Sequence, residues 1–457
     1  MAYRRALGWF AVAVALVIWS GGASGSSDVV EKVQTHLYAG KTVEAATAAR
    51  ERLTDAPGDG QARFALGAVQ FMQAVEHLGQ ALHRYGLRKP ERQLGLGLAE
   101  LPILRIPVPE NPRPYKLTYE KLRGVLKVFV RDLETAEATL GSIEDQTIDL
   151  PLNIGLIRLD LNEDGRASDE EALWQIFRVV ANAGWLDEHA ASQLLTDFDA
   201  SDAPWLQAYC HLLMAIAEFL LAYDWRLAFE TSFHGLFPKL DLPSSELEKK
   251  SVEARANLRE LGNPQFNPHH LPLGVWMQSP EYEVWKKAHK FYDHLEWVSI
   301  ADLIAFVHLN HWPVIEPNRM KNVLEHLEKM VRLSRENWRR ITAETDDRNE
   351  WIPNPRQSGA LPRMQITPDM VMGWQRFLDE FEALLQGEKL VPHWRFDQGM
   401  NLRRIFLEPT TFDIVLLIQG SAAIHYLEDG EISTGETWNQ ITHLFGGDFF
   451  RYFVWFN

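Results

Sequence analysis

The sequence predicts a mainly α-helical protein with few or no short strands, made of an N-terminal helical hairpin module and a larger, aromatic-rich helical body. Apolar residues recur at three- and four-residue spacing in many segments, separated by proline- and glycine-rich breaks. That spacing is the period of a helix with one buried face. All 14 tryptophans outside the first 25 residues follow residue 173. This change in composition separates the module from the body.

Residues 1–25 have the pattern of a secretory signal peptide. Arg4 and Arg5 precede an apolar stretch of 14 residues, and the small residues Gly22, Ala23 and Gly25 follow it. A membrane span needs about 20 apolar residues, so an uncleaved anchor is the less favoured alternative. We expect a periplasmic or secreted protein with no stable membrane span once the signal is removed.

The N-terminal module is expected over residues 26–99. Gly40, Ala45 and Pro57 are followed by Leu66-Gly67. The order and spacing of these residues resemble a tetratricopeptide repeat, which has a period of about 34 residues. The resemblance implies a helical hairpin whose groove is buried against neighbours or binds a partner peptide. A plain helical hairpin is the alternative.

Residues 100–150 are expected to form a proline-rich connector and a helix. The proline-rich part is extended, because each proline fixes φ and removes a backbone donor. The helix follows over residues 118–140. Its apolar face carries Leu122, Val125, Phe129 and Leu133, at the spacing of a buried helical stripe.

The aromatic-rich body is expected over residues 185–457. It begins with an apolar run at 203–225, which predicts a central buried helix rather than a membrane span, because polar side chains interrupt it. Cys210 lies in this run and is the single cysteine, so no intramolecular disulfide forms and we expect a buried, inert thiol. The chain ends in FFRYFVWFN, and we expect this aromatic tail to dock back onto the body.

An acidic segment at 160–171, DLNEDGRASDEE, carries the most specific pattern in the chain. It fits D-x-[DN]-x-[DN]-G-x5-E at every fixed position and therefore resembles an EF-hand calcium loop. Ca²⁺ takes six to eight oxygen ligands. The resemblance implies carboxylate, amide and hydroxyl ligands, a backbone carbonyl at the arginine and a bidentate final glutamate, from Asp160, Asn162, Asp164, Arg166, Ser168 and Glu171.

The region around this loop, residues 151–184, is expected to include an exiting helix capped by Ser168. Two features depart from the EF-hand pattern. Ala167 occupies the position where paired loops carry a branched apolar residue, and the entering segment contains Pro151 and Gly155. The entering helix is therefore expected to be short.

Charge and motifs limit the functions that fit. The net charge of −16 argues against sequence-independent binding to nucleic acid or anionic lipid, because both need clustered cations. The preferred hypothesis is an exported calcium-binding protein that binds or scaffolds an envelope protein or peptide, with calcium structural. The alternative is a metal-dependent hydrolase that uses His308, His311 and His393.

His211 and Glu218 offer a further candidate for acid–base chemistry. They are seven residues apart and therefore share one face of the predicted buried helix. A buried carboxylate beside a histidine can have a shifted pKa and act as a general acid or base. The alternative is an internal hydrogen-bonded anchor without a catalytic role.

Overall fold

The computed structural model confirms the mainly helical fold class. It describes residues 24–88, 104–144, 147–180, 184, 186–240, 256, 257, 260, 261, 270–361, 365–445, 453, 455 and 456. Residues 1–23 of the predicted signal peptide lie outside these residues. The described α-helices are, in chain order, α1 (Ser24–Tyr38), α2 (Thr42–Asp55), α3 (Gly60–Arg84), α4 (Tyr119–Gly141), α5 (Leu173–Val180), α6 (Glu188–Ser192), α7 (Asp202–Ala222), α8 (Arg226–Ser232), α9 (Leu273–Trp276), α10 (Pro280–Leu309), α11 (Pro317–Ala343), α12 (Pro368–Gln386), α13 (Leu402–Leu407), α14 (Ile414–Gln419) and α15 (Gly435–Leu444).

The described strands are short and pair in twos. They are β1 (Leu150–Asn153), β2 (Leu195–Phe198), β3 (Lys389–Leu390), β4 (Gly399–Met400), β5 (Leu427–Glu428) and β6 (Glu431–Ile432). β1 pairs antiparallel with β2, with Leu150 opposite Phe198. β3 pairs parallel with β6, and β4 pairs antiparallel with β5. The strands connect helices and make no large sheet.

Helix α7 lies at the centre of the packing. It packs against α4 and α11, and α4 packs in turn against α3. The apolar face predicted for α4 is confirmed, because Leu122, Phe129 and Leu133 are buried. Thr118 caps α4 by accepting a hydrogen bond from the backbone N–H of Lys121 at 3.3 Å, as expected for a hydroxyl N-cap.

Of the described helices, α7 has the length and composition needed to cross a membrane, and 61% of its apolar window is buried inside the protein. Its one buried glutamate, Glu218, has a charged partner, because Arg319 of α11 places Nη1 2.8 Å from Glu218 Oε2. Cys210 is buried, as expected, and burial raises the pKa of its thiol. These contacts fit a core helix.

A continuous hydrophobic core runs from Val29 in α1 to Phe456 near the end of the chain. Trp455 and Phe456 are buried, which confirms that this part of the aromatic tail docks back. The ring of Phe456 lies 4.6 Å from that of Trp338 and 5.4 Å from that of Trp374, measured between centroids. The tail therefore ties α11 and α12 together through aromatic contacts.

Candidate functional site

The 160–171 loop is closed at its base by backbone hydrogen bonds. Leu173 N–H donates to Ile157 O at 2.9 Å, and Leu159 N–H donates to Glu171 O at 3.1 Å. Before the loop, the chain forms β1 and a 3₁₀ turn at Ile154–Leu156. The entering segment is thus not α-helical, and the likeness to an EF-hand is confined to the loop and its exit.

Gly155 shows why the entering segment takes this form. A Cβ added there would lie 1.8 Å from the carbonyl oxygen of Ala191. The Asn153 side chain also accepts a hydrogen bond from Gly155 N–H at 3.1 Å, and local bonds of this kind compete with helix formation. The backbone of α6 therefore approaches too closely for any larger residue.

Within the loop, side-chain oxygens accept hydrogen bonds from backbone N–H groups a few residues ahead. Asp160 accepts from Asp164 N–H at 3.1 Å and from Gly165 N–H at 2.9 Å. Asn162 Oδ1 accepts from Asp164 N–H at 2.9 Å, and Asp164 Oδ1 accepts from Arg166 N–H at 2.8 Å. Gly165 has φ +77°, a left-handed conformation that glycine adopts without steric cost. These turns orient the oxygens of three predicted ligands.

Glu171 is fully buried and holds the loop from its far end. Its Oε1 accepts from Leu161 N–H at 2.9 Å, while its Oε2 accepts from Ser168 N–H at 2.9 Å and Ser168 Oγ at 2.8 Å. The contacts form a capping box around the 3₁₀ turn at Asp169–Glu171 that leads into α5. Ser168 therefore caps this 3₁₀ turn, whereas the exiting helix that it was predicted to cap begins later, at Leu173.

Helix α3 supplies a polar row against the loop. Glu76 Oε1 accepts from Asp160 N–H at 2.8 Å, Gln80 donates to Asp160 O at 2.8 Å, and Arg84 Nη2 lies 2.6 Å from Glu163 Oε1. The three α3 residues are four apart, so they share one helical face. Burial raises the pKa of the Glu76 carboxyl.

Two glycines of the N-terminal module let the loop approach closely. A Cβ on Gly79 would lie 2.6 Å from Leu161 Cδ2, and a Cβ on Gly40 would lie 2.2 Å from Ala167 Cβ. Gly40 also has φ +69°. Ala167, which departs from the pattern of paired EF-hands, therefore packs against the α1–α2 turn, where a branched side chain would have no room.

A second acidic site lies elsewhere, and the sequence did not predict it. The carboxylates of Asp199, Glu344 and Glu350 lie within 4.8 Å of one another, and this is the group found among the described residues whose ligand atoms are close enough to share a metal ion. We call it the acidic cluster. Asp160, Asp164 and Glu171 do not form such a group in the structure. Asp199 is remote in the sequence from Glu344 and Glu350, so no local pattern indicated that the three would meet.

Neutral donors reach all three carboxylates of the acidic cluster, and among them Gln357 Nε2 lies 3.2 Å from Glu344 Oε2. Asp199 Oδ1 accepts from the N–H and Oγ of Ser201, each at 2.7 Å, and Glu350 Oε1 accepts from Arg348 N–H at 3.2 Å. Glu350 is 5% exposed. Burial, aided by the neighbouring Glu344 and Asp199 charges, raises its pKa to about 7. Burial likewise raises the pKa of Glu344.

The histidines proposed for a hydrolase lie in different surroundings. His308 is exposed. His311 Nδ1 lies 3.2 Å from Asp413 Oδ2, and His393 Nε2 lies 3.0 Å from the carbonyl oxygen of Leu417. Among the described residues, none of these three histidines belongs to a metal-binding group.

His211 does not pair with Glu218 as the shared helical face suggested. Its Nδ1 lies 2.9 Å from His326 Nδ1 of α11, and its Nε2 lies 3.4 Å from Glu137 Oε1 of α4. Burial and the adjacent His211 lower the pKa of His326 to about 4. Three helices therefore meet at a row of titratable groups, of which His211 is buried and Glu137 and His326 are partly buried.

Comparisons with protein-family models, with curated proteins and with solved structures gave no match to this chain.

Proposed function

We propose that the 160–171 loop binds one Ca²⁺ ion, and that the protein is exported and binds or scaffolds a partner in the cell envelope. The observation that carries the calcium proposal is the set of hydrogen bonds from the loop backbone to Asp160, Asn162 and Asp164. These bonds hold side-chain oxygens, the atom type that Ca²⁺ prefers, on one turn, and the loop carboxylates would draw closer together around a bound ion. Ser168, Glu171 and the carbonyl of Arg166 complete the proposed ligand set.

The proposed role of calcium is structural. The loop contacts α3 through Asp160 and contacts the α1–α2 turn through Ala167. An ion that ties the loop together would therefore brace the junction between the N-terminal module and the body. Extracellular calcium modules bind with a Kd of about 10⁻⁴–10⁻³ M. A ligand that binds only the folded state raises the free energy of unfolding by mass action.

The binding or scaffolding role is favoured over the metal-dependent hydrolase. His308, His311 and His393 have different surroundings, and no shared ion is needed to explain their contacts. Export and an envelope location rest on the signal pattern at 1–25. Cell fractionation followed by mass measurement tests that part, since a protein that stays in the cytoplasm and keeps residues 1–25 contradicts it.

Calcium binding is tested by titration calorimetry and by thermal unfolding in calcium and in chelator. Asp160→Asn removes a predicted ligand charge and keeps an acceptor for one backbone N–H. Asp169→Asn is the matched control, because Asp169 is exposed and pairs with Arg158 at 2.6 Å rather than facing the loop centre. At 100 times the Kd, calcium adds about 2.7 kcal/mol.

We expect calcium to raise the melting temperature of the native protein and of Asp169→Asn, and to raise that of Asp160→Asn much less. Equal calcium responses in all three proteins would place the ion elsewhere. No response in any of them would leave the loop as a capped acidic turn without a metal.

A further inference from the structure

A cavity of ≈ 220 Å³ lies between α3, α4 and α7, beside the pairing of β1 with β2. The described side chains that line it are all aliphatic, thioether or aromatic. Phe71 and Val75 of α3, Tyr209 and Leu213 of α7, and Trp351 are among them. Protein interiors pack as tightly as organic crystals, and few voids exceed a water molecule. An apolar space of this size, partly open at the edge of a dense core, therefore needs an explanation.

The wall of the cavity is held open by aromatic contacts. Trp205 lies 5.4 Å from Tyr209 and 5.6 Å from Trp351 between ring centroids. Trp205 Nε1 also donates a hydrogen bond to the carbonyl oxygen of Trp455 at 3.0 Å, and this bond fixes the orientation of the Trp205 ring. Such contacts restrain large side chains that could otherwise collapse into the space. The cavity is thus a preformed feature of the packing.

We propose that this cavity binds a neutral, largely hydrocarbon small molecule, or the ring of one, with aromatic character. The volume sets its size. An apolar cavity of about 150 Å³ stays dry and holds benzene, so ≈ 220 Å³ corresponds to roughly nine non-hydrogen atoms. Nine of the 21 lining side chains are aromatic, and they offer edge-to-face contacts to a ring.

The chemistry of the wall excludes a charged ligand. A buried charge needs a partner, because desolvation in an apolar cavity is costly. The lining residues include no acid, base or histidine. Burial raises the pKa of Tyr209 to about 12, so its hydroxyl stays neutral under physiological conditions. A ligand that carries a carboxylate or an ammonium group on the ring therefore binds much more weakly than its neutral counterpart.

Iodobenzene provides a direct test, because iodine quenches tryptophan fluorescence on contact and Trp205, Trp351 and Trp455 line the cavity. The titration uses the full protein carrying Trp394→Phe, since Trp394 is 71% exposed and would report collisions in solution. We expect saturable quenching that naphthalene, a non-iodinated competitor, reverses. 4-Iodobenzoate has the same ring with a charge, and we expect it to bind at least tenfold more weakly.

Ala68→Leu narrows the cavity from α3, and Ala138→Leu makes the same change on the exposed face of α4. We expect at least a tenfold loss of iodobenzene affinity in the first variant and no change in the second. If Ala68→Leu does not fold, the competition and charge experiments on the unaltered cavity still decide. Quenching that does not saturate, equal binding of 4-iodobenzoate, or an unaffected Ala68→Leu protein would overturn the proposal.

Discussion

The 160–171 loop and the acidic cluster both collect carboxylates, but they stabilise them in different ways. In the loop, consecutive turns aim backbone N–H groups at Asp160 and Asp164, and Glu171 accepts three hydrogen bonds although it is fully buried. In the cluster, Glu350 is buried beside two other acids and accepts from one backbone N–H. The local turn gives its buried acid, Glu171, three donors, whereas the acidic cluster places its buried acid, Glu350, beside two other carboxylates with one backbone donor.

This difference has a functional consequence. Carboxylates oriented by their own backbone can be ligands for a cation in their ionised form. Carboxylates crowded in a buried site shift towards the protonated form, because neighbouring charges and burial both disfavour ionisation. We therefore expect calcium to govern the stability of the loop and pH to govern the stability of the cluster.

Gly40→Ala should have the largest effect and tests how far the loop depends on its neighbours. The new Cβ would meet Ala167 Cβ at 2.2 Å, on a backbone with φ +69°. Left-handed backbone costs about 1–2 kcal/mol for a non-glycine residue, and overpacking adds about 1–3 kcal/mol. We expect a loss of about 3 kcal/mol in the free energy of unfolding, measured in urea, and weaker calcium binding.

Ala167→Gly is the control for this steric contact. In the double variant Gly40→Ala/Ala167→Gly, the free energy lost to the steric contact should be regained. The free energy lost to the left-handed backbone at residue 40 should not be regained. Failure of Ala167→Gly to restore any stability would show that the loop and the α1–α2 turn are energetically independent. The loop would then owe its shape to its own turns alone.

The sequence predicted those features that depend on contiguous residues. The helix at 118–140 was recognisable because Leu122, Phe129 and Leu133 recur on one face, and the structure buries them. The acidic cluster could not be predicted, because its chemistry arises when the segments that carry Asp199 and Glu350 meet. The partner of His211 was mistaken for the same reason: spacing on one helix does not reveal His326 on another.

Glu350→Gln tests whether pH governs the stability of the acidic cluster. The pKa of Glu350 is about 7 in the folded protein and about 4.3 in an unfolded chain. The folded state therefore binds the proton more tightly, and the stability that this gives is complete below the unfolded pKa and is lost as the pH rises through about 7. Glutamine stays neutral, so the variant should be more stable than the native protein at pH 8, by about 2 kcal/mol, and similar to it near pH 4.

The measurement is urea unfolding of both proteins across this pH range, with chelator and with calcium. A variant that is less stable than the native protein at pH 8 only when calcium is present would show that the cluster, and not just the loop, holds a metal ion. Asp169→Asn again serves as the surface control, since its side chain is 85% exposed.

His326→Gln should have the smallest effect on stability. It distinguishes the titration of the His326 imidazole from the titration of Glu350 in the acidic cluster. Burial and His211 lower the pKa of His326 to about 4, below the value of about 6.5 in an unfolded chain. The folded state therefore binds fewer protons than the unfolded state between these values, so stability falls as the pH drops from about 6.5 to 4. Glu137 and Lys329 also act on this imidazole, with opposite signs.

Because Glu350 gains stability as the pH drops through the same range, the two groups oppose each other in the native protein. We expect His326→Gln to reduce the loss of unfolding free energy in acid by about 1 kcal/mol. The remaining pH dependence should have the opposite sign, because Glu350 stabilises the folded state as the pH falls. The double variant His326→Gln/Glu350→Gln should have a flatter pH profile than either single variant. If His326→Gln leaves the loss of stability in acid unchanged, the contact between His211 and His326 does not control acid stability, and the pH dependence must come from other titratable groups.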